Sequence, residues 1–267
     1  MSIAPTSNSP ASPTSSVHSR PNYRAVNLFS WSRTVARRIE RAVLGSYSIE
    51  TIYRDAIRSS VEEGALVLDA GTGERCIYAG RGLHVIGSDM LLGDLESNPD
   101  IEFAVVSDLE RGFPFRPNSL DAVTACYFVE HIHDSDKFIR NVASVLRPGG
   151  KVFLLFPCRY APFAIINRMI SNKLTVKMLH WFVEDSQGGF PATYNNCWPS
   201  RMREILERNG LEVFGTECCF YQSHYYASFL PVYLCSLAYD MLMKDLNVER
   251  MAASACVVGK KTAHTQP

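Results

Sequence analysis

Apolar and polar positions repeat along this chain with two different periods, and the switches between them mark its elements. Trp31, Val35, Ile39 and Ala42/Val43 recur at three-to-four spacing among Arg33, Arg37, Arg38 and Arg41, which predicts an amphipathic helix over 31–44. A second helix is expected over 49–61. Short aliphatic runs then follow at 65–70, 83–88, 101–106, 120–126, 151–156, 211–220 and 254–259, each read as a strand. Between them, 74–80 reads as a short helix, 133–146 as a helix stopped by Arg147-Pro148-Gly149-Gly150, and 200–208 as a helix closed by Asn209-Gly210. Residues 158–197 break the rhythm, with a Gly188-Gly189 hinge and Pro191. Residues 221–246 are aromatic and mostly helical in pattern. Strands alternating with helices at this spacing predict a doubly wound α/β sheet.

The first strand is the most informative stretch. Leu66-Val67-Leu68-Asp69-Ala70 runs into Gly71-Thr72-Gly73, so a buried strand ends in an acid and two glycines. Glycines there permit a tight turn and let a ligand approach the backbone. In open α/β sheets, ligands bind beyond the carboxyl ends of the strands. A Gly-x-Gly pair alone is weak; Asp89 and Asp108, each closing the next strand, give it weight.

Composition narrows the class. Lysine plus arginine and aspartate plus glutamate number 27 each in 267 residues, a balance that argues against a nucleic-acid binder. Eight cysteines lie scattered, none in a Cys-x-x-Cys pair, which points to free thiols in a reducing, cytoplasmic setting with no metal site. Residues 1–25 and 261–267 read as polar tails, the first neither a secretory signal nor a membrane helix. The stretch 226–242 reaches about the shortest length that spans a bilayer. Pro231 interrupts it and Asp240 lies inside it, so a span is rejected while a peripheral membrane contact stays open.

Six segments in order carry a family resemblance: Val67-Leu68-Asp69-Ala70-Gly71-Thr72-Gly73, Val85-Ile86-Gly87-Ser88-Asp89, Ser107-Asp108-Leu109, Leu120-Asp121-Ala122-Val123, Phe128-Val129-Glu130-His131 and Val145-Leu146-Arg147-Pro148-Gly149-Gly150-Lys151. Together they resemble the S-adenosylmethionine-dependent methyltransferases of the Rossmann-like class. The resemblance implies a mostly parallel seven-stranded sheet with helices on both faces and an antiparallel last strand. It also implies one domain over 26–260, with a cofactor-binding core at 64–158. The N-terminal helices and the inserts at 159–197 and 221–246 would form a lid on the acceptor side.

The same resemblance assigns S-adenosylmethionine as cofactor and gives residues their roles. Asp69 would orient the glycine loop, and Gly71 and Gly73 would admit the methionine portion. Asp89, followed by Met90, would accept the ribose hydroxyls; Asp108 and Leu109 would meet the adenine, with Cys126 also at the cofactor. His131 is the nearest imidazole for general-base work, although Glu130 and His131 could equally cap the following helix. Tyr127, Phe229 and Tyr233 are placed on the acceptor side, the last two on one face with Tyr225; His180, Tyr194 and His224 could also meet the acceptor. Two departures stand out: Arg75 replaces the usual third glycine of the loop, and Cys76 excludes the dinucleotide pattern Gly-x-Gly-x-x-Gly. The expected activity is methylation, on oxygen, of a small-molecule, sugar or lipid-like acceptor. The alternative is a cofactor-binding fold that has lost catalysis and serves as a scaffold, with Arg75 as its support. No oligomeric state follows from the sequence.

Overall fold

The computed structural model describes residues 23–45, 47–80, 82–169 and 192–262. The polar tail to residue 22, His180, the Gly188-Gly189 hinge, Pro191 and the last five residues lie outside the described residues. Seven strands form one sheet in the order β3-β2-β1-β4-β5-β7-β6. They are β1 (Leu66–Ala70), β2 (His84–Asp89), β3 (Phe103–Val106), β4 (Leu120–Cys126), β5 (Leu146–Pro157), β6 (Leu211–Cys219) and β7 (Ser254–Lys261). The first five pair in parallel, and β7 runs antiparallel between β5 and β6.

Period-two side-chain alternation gives each sheet face its own core. On one face Leu68, Val123, Leu154 and Val257 pack with Phe138, Ile139 and Val142 of α4 (Ser135–Val145) and Met202, Ile205 and Leu206 of α6 (Pro199–Arg208). On the other, Val67, Val85, Phe153 and Val258 pack with Ile49, Tyr53 and Ile57 of α2 (Ile49–Ser60). The helix expected as part of a lid is therefore a sheet-face helix, because its apolar stripe is spent on the sheet. Its N-cap is Ser48, whose side chain accepts from the Thr51 N–H at 3.4 Å.

Several expectations change. The segment 74–80 is not a helix: Gly73 and Gly80 hold positive φ values of 54° and 99°, and the chain crosses it in turns. The short helix α3 (Leu92–Ser97) was not anticipated. The first helix, α1 (Tyr23–Leu44), starts inside the expected polar tail. In the aromatic stretch, α7 (Leu230–Asp245) begins just before Pro231, so that proline opens the helix instead of interrupting it. Tyr225 falls earlier, in a 3-10 turn over Ser223–Tyr226, and Phe229 is the N-cap of α7. The expected Tyr225–Phe229–Tyr233 face therefore does not form. Tyr233 is fully buried between α7 and α1, its hydroxyl donating to the Ala36 carbonyl at 3.1 Å. It packs in the α1–α7 seam.

Between α4 and the last residues of β5, Leu146 is already extended, and Gly149 sits at φ 82° before the sheet register resumes at Lys151. The other short segment, α5 (Pro162–Met169), follows β5 directly.

Candidate active site

A cavity of about 480 Å³ opens where β1, β2, β3 and β4 end. Its walls include Gly71 from the first loop, Ser88, Asp89 and Met90 from the second, Ser107, Asp108 and Leu109 from the third, and Tyr127, Phe128 and His131 from the fourth. The parallel register puts these successive strand ends on one edge of the sheet, so residues far apart in sequence meet there. A second cavity of about 500 Å³ lies at the opposite edge, among residues 60–65, Asp121, Arg147 and Lys260. In it Asp121 is engaged in structural ties, pairing with Arg147 at 2.6 Å and accepting the Leu66 N–H at 2.6 Å.

The glycine loop is built around two carboxylates. Asp69 is buried and accepts the hydroxyls of Thr72 and Thr124, each at 2.7 Å; Thr124 also meets the Tyr78 hydroxyl at 2.6 Å. Burial raises the Asp69 pKa, and these hydroxyl donors oppose the rise. Asp69 is not a wall of the cavity; it anchors the loop from beneath. Asp89 does line the cavity. Its two oxygens accept the N–H groups of Gly73 at 3.2 Å and Leu91 at 3.1 Å.

Gly71 lies at φ 68°, and a Cβ there would stand 2.1 Å from the Phe128 ring, so only glycine lets the loop and the β4 end close together. Asp108 accepts from the Glu110 N–H at 3.1 Å and pairs with Arg111 at 3.1 Å.

Of the residues expected at the cofactor, Gly71, Asp89, Met90, Asp108 and Leu109 line this one cavity, with Met90 60% exposed at its rim. Gly73 is not a wall residue; its amide is taken by Asp89. Cys126 packs instead against the α2 core, and burial raises its thiol pKa. Arg75 is exposed and outside the lining.

On the acceptor side, Tyr127 is a wall residue with a bulky side chain held at φ 53°, a conformation that costs on the order of 1–3 kcal/mol and tends to occur at functional sites. Its hydroxyl donates to Glu50 Oε1 at 2.7 Å, while the Ser48 hydroxyl donates to Oε2 at 2.5 Å. These donors outweigh desolvation and hold the Glu50 pKa below its ordinary value. Glu50 was not anticipated; it sits in the first turn of a helix, where an acid needs no functional explanation. Tyr225 lies with its ring 4.9 Å from Phe163 and 4.1 Å from His224. Tyr194 is buried in the main core, its hydroxyl accepting from the Asn167 side-chain amide at 3.3 Å. Phe229 is 49% exposed on α7 and is not a wall residue.

The Glu130–His131 pair forms a 3-10 turn. Asp134, rather than either of them, caps α4, accepting the Lys137 N–H at 3.0 Å. His131 lines the cavity. Glu130 points inward: burial pushes its pKa from the ordinary 4.5 up to about 8, and Oε2 has no partner among the described residues. The unfolded chain gives up this proton near the ordinary value, whereas the folded chain keeps it to about 8. The folded state thus binds the extra proton between those limits, and stability falls as pH rises through the window. Glu130→Gln is expected to abolish this slope and to raise stability at pH 8 by up to about 4 kcal/mol, checked by urea unfolding from pH 5 to 8. A slope unchanged by the substitution would mean that Glu130 is ionised in the fold.

The cavity suits S-adenosylmethionine in its donor set. Two carboxylates at consecutive strand ends face it, and the Ser88 and Ser107 hydroxyls, buried in its walls, have no partner among the described residues. No group of His, Cys, Asp and Glu among the described residues could hold a metal ion.

Residues 68–154 match the family model described as a methyltransferase domain. The demethylmenaquinone methyltransferase of Renibacterium salmoninarum is 33% identical over 103 residues, 37% of this chain and 43% of that protein. The ubiquinone biosynthesis O-methyltransferase of Aeromonas salmonicida is 30% identical over 127 residues, 43% of this chain and 52% of that protein. The chain thus spans about half the length of these curated relatives. A solved structure from Galdieria sulphuraria, assigned as a sarcosine dimethylglycine methyltransferase, superposes with a TM-score of 0.51 at 13% identity, over 80% of this chain and 85% of that one; at that identity it shows the fold alone.

Proposed function

As a member of the S-adenosylmethionine-dependent methyltransferases of the Rossmann-like class, this chain, we propose, transfers a methyl group to an oxygen of a small, partly apolar acceptor. The observation that carries the reading is the convergence of Asp89, Asp108 and Gly71, from three successive strand ends, on one cavity. S-adenosylmethionine, when bound, supplies an activated methyl with a neutral thioether as its leaving group. The chain's own task is then mainly alignment, which can be worth about 7–11 kcal/mol.

Asp89 would accept the ribose hydroxyls, and Asp108, beside the Leu109 backbone, would accept from the adenine amino group. Gly71 leaves room for the methionine portion, in a loop anchored by Asp69. Tyr127 would form the wall between this cavity and the acceptor. His131 would take the proton released by an acceptor hydroxyl. The acceptor's apolar part would find Phe163 and Tyr225. The relatives named for ubiquinone biosynthesis and demethylmenaquinone methylation favour a quinone-type acceptor over a sugar. The scaffold alternative rests on Arg75, which is exposed and is not a wall residue of the cavity.

Titration with S-adenosylhomocysteine by calorimetry, followed by transfer of labelled methyl into cell extract, tests the reading. Failure to bind would sink the cofactor assignment. Binding without transfer to any extract component would return the scaffold alternative. A finer check is Asp89→Ala, expected to weaken S-adenosylhomocysteine binding by about 1.5–3 kcal/mol through lost charge-assisted hydrogen bonds. Unchanged affinity would remove Asp89 from the ribose site.

A further inference from the structure

Helix α7 has the composition of a buried helix and the exposure of a surface one. From Leu230 to Met243 its only charged residue is Asp240, and that carboxylate is buried. It accepts the backbone N–H groups of Gln222 and Ser223, both at 2.9 Å, which ties α7 to the turn carrying Tyr225. Tyr233 and Leu237 fill the seam against α1. That leaves Val232, Leu234, Met241 and Leu242 between 42% and 52% exposed, with no exposed charge among them. A helix apolar all round is ordinarily buried in a core or in lipid.

The neighbouring helix supplies the complementary half. α1 docks on the start of α7 through Ser32, whose hydroxyl donates to the Ala227 carbonyl at 2.8 Å, and through Arg33, which donates to the Ser228 hydroxyl at 2.9 Å. Over 31–44 it carries four arginines against the single acid Glu40. Arg37, Arg38 and Arg41 are exposed, as is Trp31 at 55%. Exposed aliphatic groups with arginines and a tryptophan are what an anionic membrane interface selects.

We propose that the α1–α7 surface docks on an anionic lipid bilayer without crossing it; no helix among the described residues is long and apolar enough to span one. The aliphatic side chains of α7 enter the headgroup–acyl boundary and the α1 arginines meet lipid phosphates. The turn at Ser223–Tyr226, bonded to α7, then lies next to the membrane, where an apolar acceptor dissolved in lipid would be met. The docking itself is independent of the methyl-transfer reading, since it is measured without cofactor or acceptor.

Flotation of the full chain tests this, using vesicles of phosphatidylcholine alone and of equal parts phosphatidylcholine and phosphatidylglycerol. Binding is expected with the mixed vesicles, weakening as salt is raised. Replacing Arg37, Arg38 and Arg41 by serine should weaken it by about fivefold per arginine, on the order of 100-fold together. Leu234→Ser with Leu242→Ser should weaken it by about tenfold or more with an unchanged melting temperature, because both side chains are already exposed. No binding to the mixed vesicles, or binding indifferent to both sets of substitutions, overturns the proposal. So does a dimer in light scattering that the two leucine substitutions dissociate, since the face would then belong to a second copy.

Discussion

Turnover of the His131→Gln variant is expected to fall about 10²–10⁴-fold, on the order of 3–5 kcal/mol of barrier, with S-adenosylhomocysteine affinity largely kept. The expectation rests on where His131 stands. It shares the cavity wall with Tyr127 and Phe128 at the end of β4, while the capping work that a histidine at this place could do is performed by Asp134. Glutamine keeps a hydrogen-bonding side chain of similar reach but cannot take a proton near neutral pH, so it separates proton acceptance from positioning. The measurement is single-turnover methyl transfer across pH, with cofactor affinity determined in parallel. A drop below about fivefold with an unaltered pH profile would assign His131 to the wall alone, and a loss of cofactor affinity equal to the loss of rate would make it a binding residue.

Gly71→Ala is expected to be the most damaging glycine-to-alanine change among the described residues. The new Cβ would stand 2.1 Å from one ring carbon of Phe128 and 2.9 Å from Phe128 Cβ, so rotating the ring alone does not relieve the contact. That ring is itself packed on Phe138, with centroids 5.7 Å apart. The backbone at φ 68° adds its own cost of about 1–2 kcal/mol for a residue with a side chain. With overpacking of about 1–3 kcal/mol, the loss of stability should be about 3 kcal/mol, seen as a lower urea midpoint. Binding of S-adenosylhomocysteine should fall as well, because relief requires the loop or the β4 end to move into the cavity they both line. Gly73→Ala is the control: its Cβ would meet nothing within 4 Å, so only the backbone cost at φ 54° remains. Equal losses at the two positions would show that close approach to Phe128 is not what glycine 71 provides.

Much of the architecture was legible because it depends on local pattern. The strand pattern marked all seven strands, because short apolar runs bounded by turn residues stand out. β1 and β4 are buried along nearly their whole length and read as near-continuous apolar runs, whereas β6 alternates and β3 is mostly exposed. The acids that close β1 and β2 and the one just beyond β3 were also legible, because a polar residue ending an apolar run is visible without any partner. The 74–80 segment misled for the complementary reason. Its composition tolerates a helix, and only the dihedrals at Gly73 and Gly80 and the tie from the Cys76 N–H to Asp100 at 3.2 Å make it a series of turns. Pro231 misled because a proline carries no mark of whether it starts a helix or breaks one.

The sequence by itself thus determined the strand ladder, the glycine loop and the row of carboxylates, all of which follow from which residues are apolar and where the chain must turn. The tertiary structure alone decided which of those residues share a space. It set Asp69 beneath the loop and Asp89 inside the cavity, though both end strands. It joined Tyr127 to Glu50 across 77 positions, and it buried Tyr233 while leaving Leu234 and Leu242 exposed. Each of these outcomes depends on a neighbour remote in sequence: the register of parallel strands, the face a helix spends on the sheet, and the docking of α1 on α7. Hydrophobic periodicity encodes that a face will be covered, and the fold supplies what covers it.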